Sequence, residues 1–163
     1  MDDFSSKSGH PNFYGLIGSE ANSIQPGKRM LSSMTPSIIL KDSKPSLIVG
    51  TPGGSTIITS VLQTILNVYE FDLSVQEAVN APRFHHQWLP DVVIFEEGII
   101  NKEKDSILKS KSYFVISLPI EVDTGGMSAR SSIGAVDAIL IDEEGKVSTG
   151  ADFRGDDYGE ILK

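Results

Sequence analysis

Two apolar runs, Ser37-Ile38-Ile39-Leu40-Lys41 and Ser46-Leu47-Ile48-Val49, flank Lys44-Pro45 and predict two strands joined by a tight turn. Downstream, Ile57, Ile58, Val61, Leu62, Ile65, Leu66 and Tyr69 recur at helical spacing. That pattern predicts one broad apolar face packed in the core, with Ser55 as the helix cap. Ser74 followed by Glu77 predicts a capping box on a short helix over 74–80, ended by Pro82. The stretch 83–90 reads as extended or looped, and 92–96 as a strand. Residues 102–111 predict an exposed helix with Ile107 and Leu108 inward, and 113–116 a further strand. A last hairpin is predicted where 135–141 and 146–151 flank Asp142-Glu143-Glu144-Gly145. Strands and helices mix without strict βαβ alternation, which predicts an α+β fold with antiparallel sheet.

Between these elements lie two stretches of loop chemistry. Residues 4–29 are rich in Ser, Gly, Pro and Asn. A loop of that length in a compact domain is functional or disordered, and Phe13-Tyr14-Gly15-Leu16-Ile17 at its centre favours a packed, lid-like segment. Residues 123–132 form a second Gly/Ser-rich loop. With 163 residues, 39% of them apolar, the chain fits a single domain over 1–163 that buries roughly two thirds of its unfolded surface.

Composition narrows the function classes. A formal net charge of −8 argues against nucleic-acid binding and against anionic membranes, both of which want a basic stripe. No apolar run approaches the roughly 18 residues of a membrane span, and no signal-peptide pattern opens the chain. The absence of cysteine excludes a thiol nucleophile, disulfides and thiolate metal sites. No internal repeat is visible, so a solenoid is not expected. Met1-Asp2-Asp3-Phe4 leads straight into a loop, which reads as a piece of a longer chain.

Two small-residue motifs carry the chemistry: Leu31-Ser32-Ser33-Met34-Thr35-Pro36 and Thr51-Pro52-Gly53-Gly54-Ser55. The hairpin between them returns the chain and brings the serines near the glycines. Paired hydroxyls can bind a carboxylate, and adjacent glycines let backbone N–H groups approach a reacting oxygen closely. Each motif also has a plainer reading: Ser32-Ser33 as a polar turn, Gly53-Gly54 as a strand-to-helix turn. Together they look like half of an acyl-transfer site that lacks its nucleophile. His85 and His86 point to opposite faces if extended, and no further ligand stands at metal spacing. They read as structural, and no metal or cofactor is expected. Asp142-Glu143-Glu144 reads as a solvated turn rather than a calcium loop.

Four motifs in consistent order resemble the small subunit of the gamma-glutamyltranspeptidase family: Met1-Asp2-Asp3-Phe4, Lys28-Arg29-Met30-Leu31-Ser32-Ser33-Met34-Thr35-Pro36, Thr51-Pro52-Gly53-Gly54-Ser55, and Asn80-Ala81-Pro82-Arg83-Phe84-His85-His86-Gln87-Trp88-Leu89-Pro90. The resemblance implies an N-terminal-nucleophile hydrolase fold, an αββα sandwich, here without its first strands and its large subunit. In that family a precursor cleaves itself and exposes a threonine. That threonine takes the γ-glutamyl group of glutathione or a related compound as an acyl-enzyme, and water or an amino-acid or peptide acceptor then receives it.

By the same resemblance Asp3 holds the substrate α-ammonium, Ser32 and Ser33 bind its α-carboxylate, and Gly53 and Gly54 form the oxyanion hole. Tyr14 stands where lid-bearing members carry a covering tyrosine, and Arg154 of Asp152-Phe153-Arg154 has a structural role. The nucleophilic threonine itself is absent from this chain, so the 163 residues alone are expected to be inactive. The missing strands would leave an apolar face and an edge exposed, which predicts self-association. The expected partners are γ-glutamyl substrates, acceptors and the large subunit, and the expected location is periplasmic or secreted. The alternatives are a glutaryl or cephalosporin side-chain acylase of the same superfamily, and a non-catalytic assembly or binding domain.

Overall fold

The computed structural model describes residues 4–32, 34–120 and 133–162. The loop expected over 123–132 lies outside the described residues. The first hairpin forms as β1 (Ser37–Lys41) and β2 (Lys44–Gly50). Its turn sits at Asp42-Ser43 rather than at Lys44-Pro45. Both turn residues have positive φ, 50° and 64°, as a two-residue hairpin turn that matches strand twist requires. Pro45 therefore falls inside β2, and the register shifts opposite it, between Ile39 and Leu40. A residue with no N–H to donate is tolerated where the ladder is already broken.

β2 continues antiparallel to β6 (Asp137–Ile141), which pairs with β7 (Val147–Ala151), giving the sheet order β1-β2-β6-β7. The turn between β6 and β7 is held by Asp142, whose side chain accepts from the N–H groups of Glu144 and Lys146. One face of this sheet packs on α1 (Ile57–Tyr69) and α2 (Val75–Asn80). Leu47, Val49 and Ala138 from the strands meet Ile57, Val61, Val68, Val75, Ala78 and Val79 from the helices. The other face carries Ile38, Ile48 and Ile139 in register across three strands, with Ile38 64% exposed. The chain thus supplies one helix layer and one sheet layer, and the far side of the sheet is apolar.

The stripe on α1 does not bury as one face. Ile57, Val61 and Val68 go under, whereas Ile58 is 67% and Leu62 51% exposed. The buried face is completed by Ser60 and Thr64, whose hydroxyls donate to the carbonyls of Thr56 and Ser60 and so enter the core satisfied. Nor does Ser55 cap the helix. A 3-10 turn, Gly54–Thr56, precedes α1, and both the N–H and the hydroxyl of Thr56 donate to the Gly53 carbonyl at 3.1 and 3.0 Å.

A second sheet joins β3 (Phe84–His85), β4 (Val93–Glu96) and β5 (Val115–Leu118). β4 and β5 run parallel, against the expectation of antiparallel pairing, because α3 (Lys102–Ser110) crosses between them and a crossover helix returns the chain in the same direction. On α3, Ile107 is exposed and Leu108 half-buried, so only one of the two turns inward.

The capping box on α2 forms as the sequence predicts. The Ser74 hydroxyl accepts from the Glu77 N–H, and the Glu77 carboxylate accepts from the Ser74 N–H at 3.0 Å. The Ser74 hydroxyl also donates to the Glu77 carboxylate at 2.6 Å, and this bond, with the one from the Ser74 N–H, holds the Glu77 carboxyl below its ordinary pKa. Ser74→Ala should lower stability by about 1 kcal/mol, read from urea midpoints at unchanged slope.

Candidate functional site

The two ends of the first hairpin and the loop over 4–29 enclose one cavity of about 700 Å³. Tyr14, Ser32, Thr35, Gly54, Ile58 and His85 are among its lining residues. The hairpin therefore brings Ser32 to Gly54, as the motif spacing implies. Gly53 (φ 141°) and Gly54 (φ 58°) both lie in the left-handed region, which an L side chain adopts only with strain. Among the described residues, neither glycine's N–H donates to another group of the chain. They stand at the start of a helical segment with no side-chain cap. Unpartnered N–H groups at a helix start favour a negative oxygen, both by direct donation and through the helix dipole.

Tyr14 lies over this turn. A Cβ placed on Gly54 would overlap the Tyr14 ring and stand 2.9 Å from its hydroxyl. The ring is carried by a tight turn built on Asn12, whose side-chain oxygen accepts from the Tyr14 and Leu16 N–H groups at 2.9 and 3.0 Å. Asp3 and Ser33 lie outside the described residues.

Behind the glycine turn sits a set of buried charges, of which the sequence pattern Asp152-Phe153-Arg154 marks one end. Arg83, Glu96, Asp152 and Arg154 are all at most 1% exposed. Arg154 grips Glu96 through Nε at 2.9 Å and Nη2 at 2.6 Å, and reaches Asp152 through Nη1 at 2.8 Å. Arg83 donates to Asp152 at 2.5 Å and to the carbonyls of Ile133 and Gly134. Burial pushes the Asp152 carboxyl up, but Arg83 and the Val136 and Arg154 N–H donors outweigh it, and the carboxyl lies below its ordinary pKa. Burial likewise works against the Arg154 charge, and the bonds to Glu96 and Asp152 prevail and raise its pKa.

This network positions the glycine turn. Gly134, held by Arg83, lies 3.4 Å from where a Gly53 Cβ would stand. The Ala135 N–H reaches the Thr51 hydroxyl at 2.9 Å, and the single proton of the Ser60 hydroxyl on α1 is shared between the Thr56 carbonyl and the Ile133 carbonyl, at 2.9 and 3.1 Å.

His85 and His86 both line the cavity but bond different partners. His85 is buried between Thr59 and Gln87, and His86 faces Asp91 at 3.1 Å. Among the described residues no group of three His, Asp or Glu side chains could hold a metal ion. The contacts of Gln87, Thr59 and Gln63 had no sequence signal, because uncharged amides and hydroxyls occur everywhere on protein surfaces.

The gamma-glutamyltranspeptidase family model matches residues 1–162. The chain is 43% identical over 157 residues to the glutathione hydrolase proenzyme of Escherichia coli, covering 96% of this chain and 25% of that protein. It thus spans about a quarter of that relative's length. A highly active mutant of gamma-glutamyltranspeptidase from Pseudomonas nitroreducens superposes with a TM-score of 0.83 at 41% identity, over 99% of this chain and 78% of the other. A cephalosporin acylase from Bacillus halodurans shares the fold at a TM-score of 0.69 and 24% identity, over 83% of this chain and 23% of the other. The chain belongs to the gamma-glutamyltranspeptidase family and has the α+β fold of the N-terminal-nucleophile hydrolases.

Proposed function

We propose that this chain supplies the oxyanion hole and the glutamate-recognising half of a γ-glutamyl transfer site. The observation that carries this reading is the pair of unpartnered N–H groups at Gly53-Gly54, with Gly54 and Ser32 lining one cavity. In the reaction, a threonine Oγ contributed from outside this chain adds to the γ-carbonyl carbon. The carbonyl electron pair moves onto oxygen, where the Gly53 and Gly54 N–H groups stabilise it; one such donor is worth about 10²–10³ in rate. Collapse expels the amine, which takes up the proton lost by the threonine. Water or an amino-acid or peptide acceptor then releases the glutamyl ester. Ser32 with Ser33 binds the α-carboxylate and Asp3 the α-ammonium, since a buried ammonium without a partner is costly.

The apolar outer face at Ile38, Ile48 and Ile139 fits a second sheet layer from the large subunit, and without it the chain self-associates through that face. Family membership supports glutathione as substrate and a periplasmic or secreted location; among the described residues no helix is long and apolar enough to cross a membrane. The acylase alternative has only shared fold behind it. The test is γ-glutamyl anilide turnover by the complete reading frame. We expect turnover in the wild type, and Ser32→Ala/Ser33→Ala to raise KM at least about tenfold, as loss of two hydrogen bonds to a charged group would. A wild-type protein that releases no anilide would overturn the reading.

A further inference from the structure

The Asn12 turn fixes the shape of the Tyr14 segment but not its place over Gly54. A side chain of the second sheet reaches it: Gln87 Nε2 donates to the Tyr14 carbonyl at 2.6 Å and to the Leu89 carbonyl at 2.9 Å. With both amide protons directed at carbonyls, the Gln87 Oε1 must face His85 Nε2, 2.8 Å away. That ring nitrogen therefore carries a proton and donates it. The other nitrogen, Nδ1, lies 2.9 Å from the Thr59 hydroxyl, whose single proton has that nitrogen and the Thr56 carbonyl at 3.0 Å as its two acceptors.

Thr59 stands on α1, one turn from the glycines. Gln63 on the same helix clamps β3, donating to the Phe84 carbonyl at 2.8 Å and accepting from its N–H at 3.0 Å. The chain of contacts thus closes on itself, from the Gly53-Gly54 turn along α1 to His85, Gln87 and Tyr14, and back to Gly54 through the tyrosine ring.

Two further features place Gln87. Trp88 has a φ of 71°, and the Leu89 N–H donates to the Gln87 carbonyl at 2.9 Å across it. A bulky residue with positive φ in so tight a turn is strained, and strain of this kind is held at sites that need it. The turn sets the Leu89 carbonyl where one amide can bridge it and Tyr14. Gly15 lies against Pro90 so closely that a Cβ would stand 2.8 Å from the ring.

We propose that Gln87, oriented by His85 and Thr59, is the positioning residue that registers Tyr14 over the oxyanion glycine. Its consequence for the reaction rests on the proposed function: a registered Tyr14 shields the glutamyl ester from bulk water, so the hydrogen-bond tie sets how the ester divides between water and an amine acceptor.

The test compares the intact protein with Gln87→Ala, Gln87→Glu, Thr59→Val and Thr59→Ser. The readouts are hydrogen exchange of peptides spanning 10–18 and the ratio of hydrolysis to transfer with glycylglycine. That ratio does not depend on the fraction of protein that is folded. Loss of the Gln87 donor should speed exchange at the Tyr14 and Leu16 amides roughly fivefold, the worth of one net hydrogen bond, and raise the hydrolysis share. Thr59→Val should do the same more weakly, and Thr59→Ser should match the wild type. Unchanged exchange in both Gln87 variants overturns the tie, and faster exchange with an unmoved ratio overturns its role in partition. A wild type without γ-glutamyl turnover defeats the functional reading instead, and the exchange comparison still decides the tie.

Discussion

Arg154→Leu should lower the thermal midpoint by on the order of 10 °C, the shift expected when one member of a buried charge network is removed from a chain of this size. The side chain is fully buried and makes two bonds to Glu96 and one to Asp152. Without it, among the described residues Glu96 keeps only backbone donors, the N–H groups of Arg83 at 2.7 Å and Ile133 at 3.4 Å. A carboxyl so placed has lost the guanidinium that bonds it directly and cannot reach water. Arg83→Leu should cost less, because Asp152 retains Arg154 and the Val136 N–H. The exposed Lys41–Glu143 pair is the control: Lys41→Ala should leave the midpoint essentially unmoved, since solvent screens such pairs.

Calorimetry against pH sharpens the test. The folded Asp152 carboxyl lies below its ordinary value, so at neutral pH it contributes stability. That contribution shrinks as pH falls below about 4, where the unfolded chain takes up a proton and the folded chain does not yet. Arg154→Leu removes the guanidinium bond to Asp152 and keeps the backbone N–H of position 154, and should partly flatten that acid limb.

What the sequence revealed and concealed follows the same physics. Elements set by local signals were legible: the capping box of α2, both hairpins of the first sheet, and the helical period of α1. The split of the α1 stripe was not, because Ile58 and Leu62 are as apolar as Ile57 and Val61, and only the sheet's position decides which pair it covers. The parallel pairing of β4 with β5 was equally hidden, since the exposed helix between them reads the same with or without a crossover. At the site, Ser32, Gly53 and Gly54 stood out through motifs in register and Tyr14 through its place in the long loop, and the structure brings Ser32 and Tyr14 to Gly54. Arg83, Glu96 and Asp152 are separated by up to 69 positions, and nothing local marks a charge as buried. Gln87 was quoted within a motif, but its bond to Tyr14 spans 73 positions and needed the fold to be seen.

On the proposed function, Gly54→Ala in the complete reading frame should cut kcat/KM for a γ-glutamyl anilide by about 10²-fold or more, the scale of a lost oxyanion donor. Two strains act at once. The residue's φ of 58° disfavours any Cβ, and that Cβ would overlap the Tyr14 ring. To relieve them the turn must rotate, which swings the Gly54 N–H away from the oxyanion position proposed for it, or the tyrosine must lift. The double variant Gly54→Ala/Tyr14→Ala separates the two. If the tyrosine overlap dominates, removing the ring should restore about tenfold of the loss, a coupling well outside additive behaviour. If the backbone dominates, the two losses should simply add. Gly53→Ala serves as comparison: its Cβ would meet the Thr56 hydroxyl at 2.5 Å and the Gly134 Cα at 3.4 Å. The same Tyr14 substitution should give it no relief, because the clash lies behind the turn rather than beneath the lid. Activity retained in Gly54→Ala would mean that the N–H pair does not carry the oxyanion.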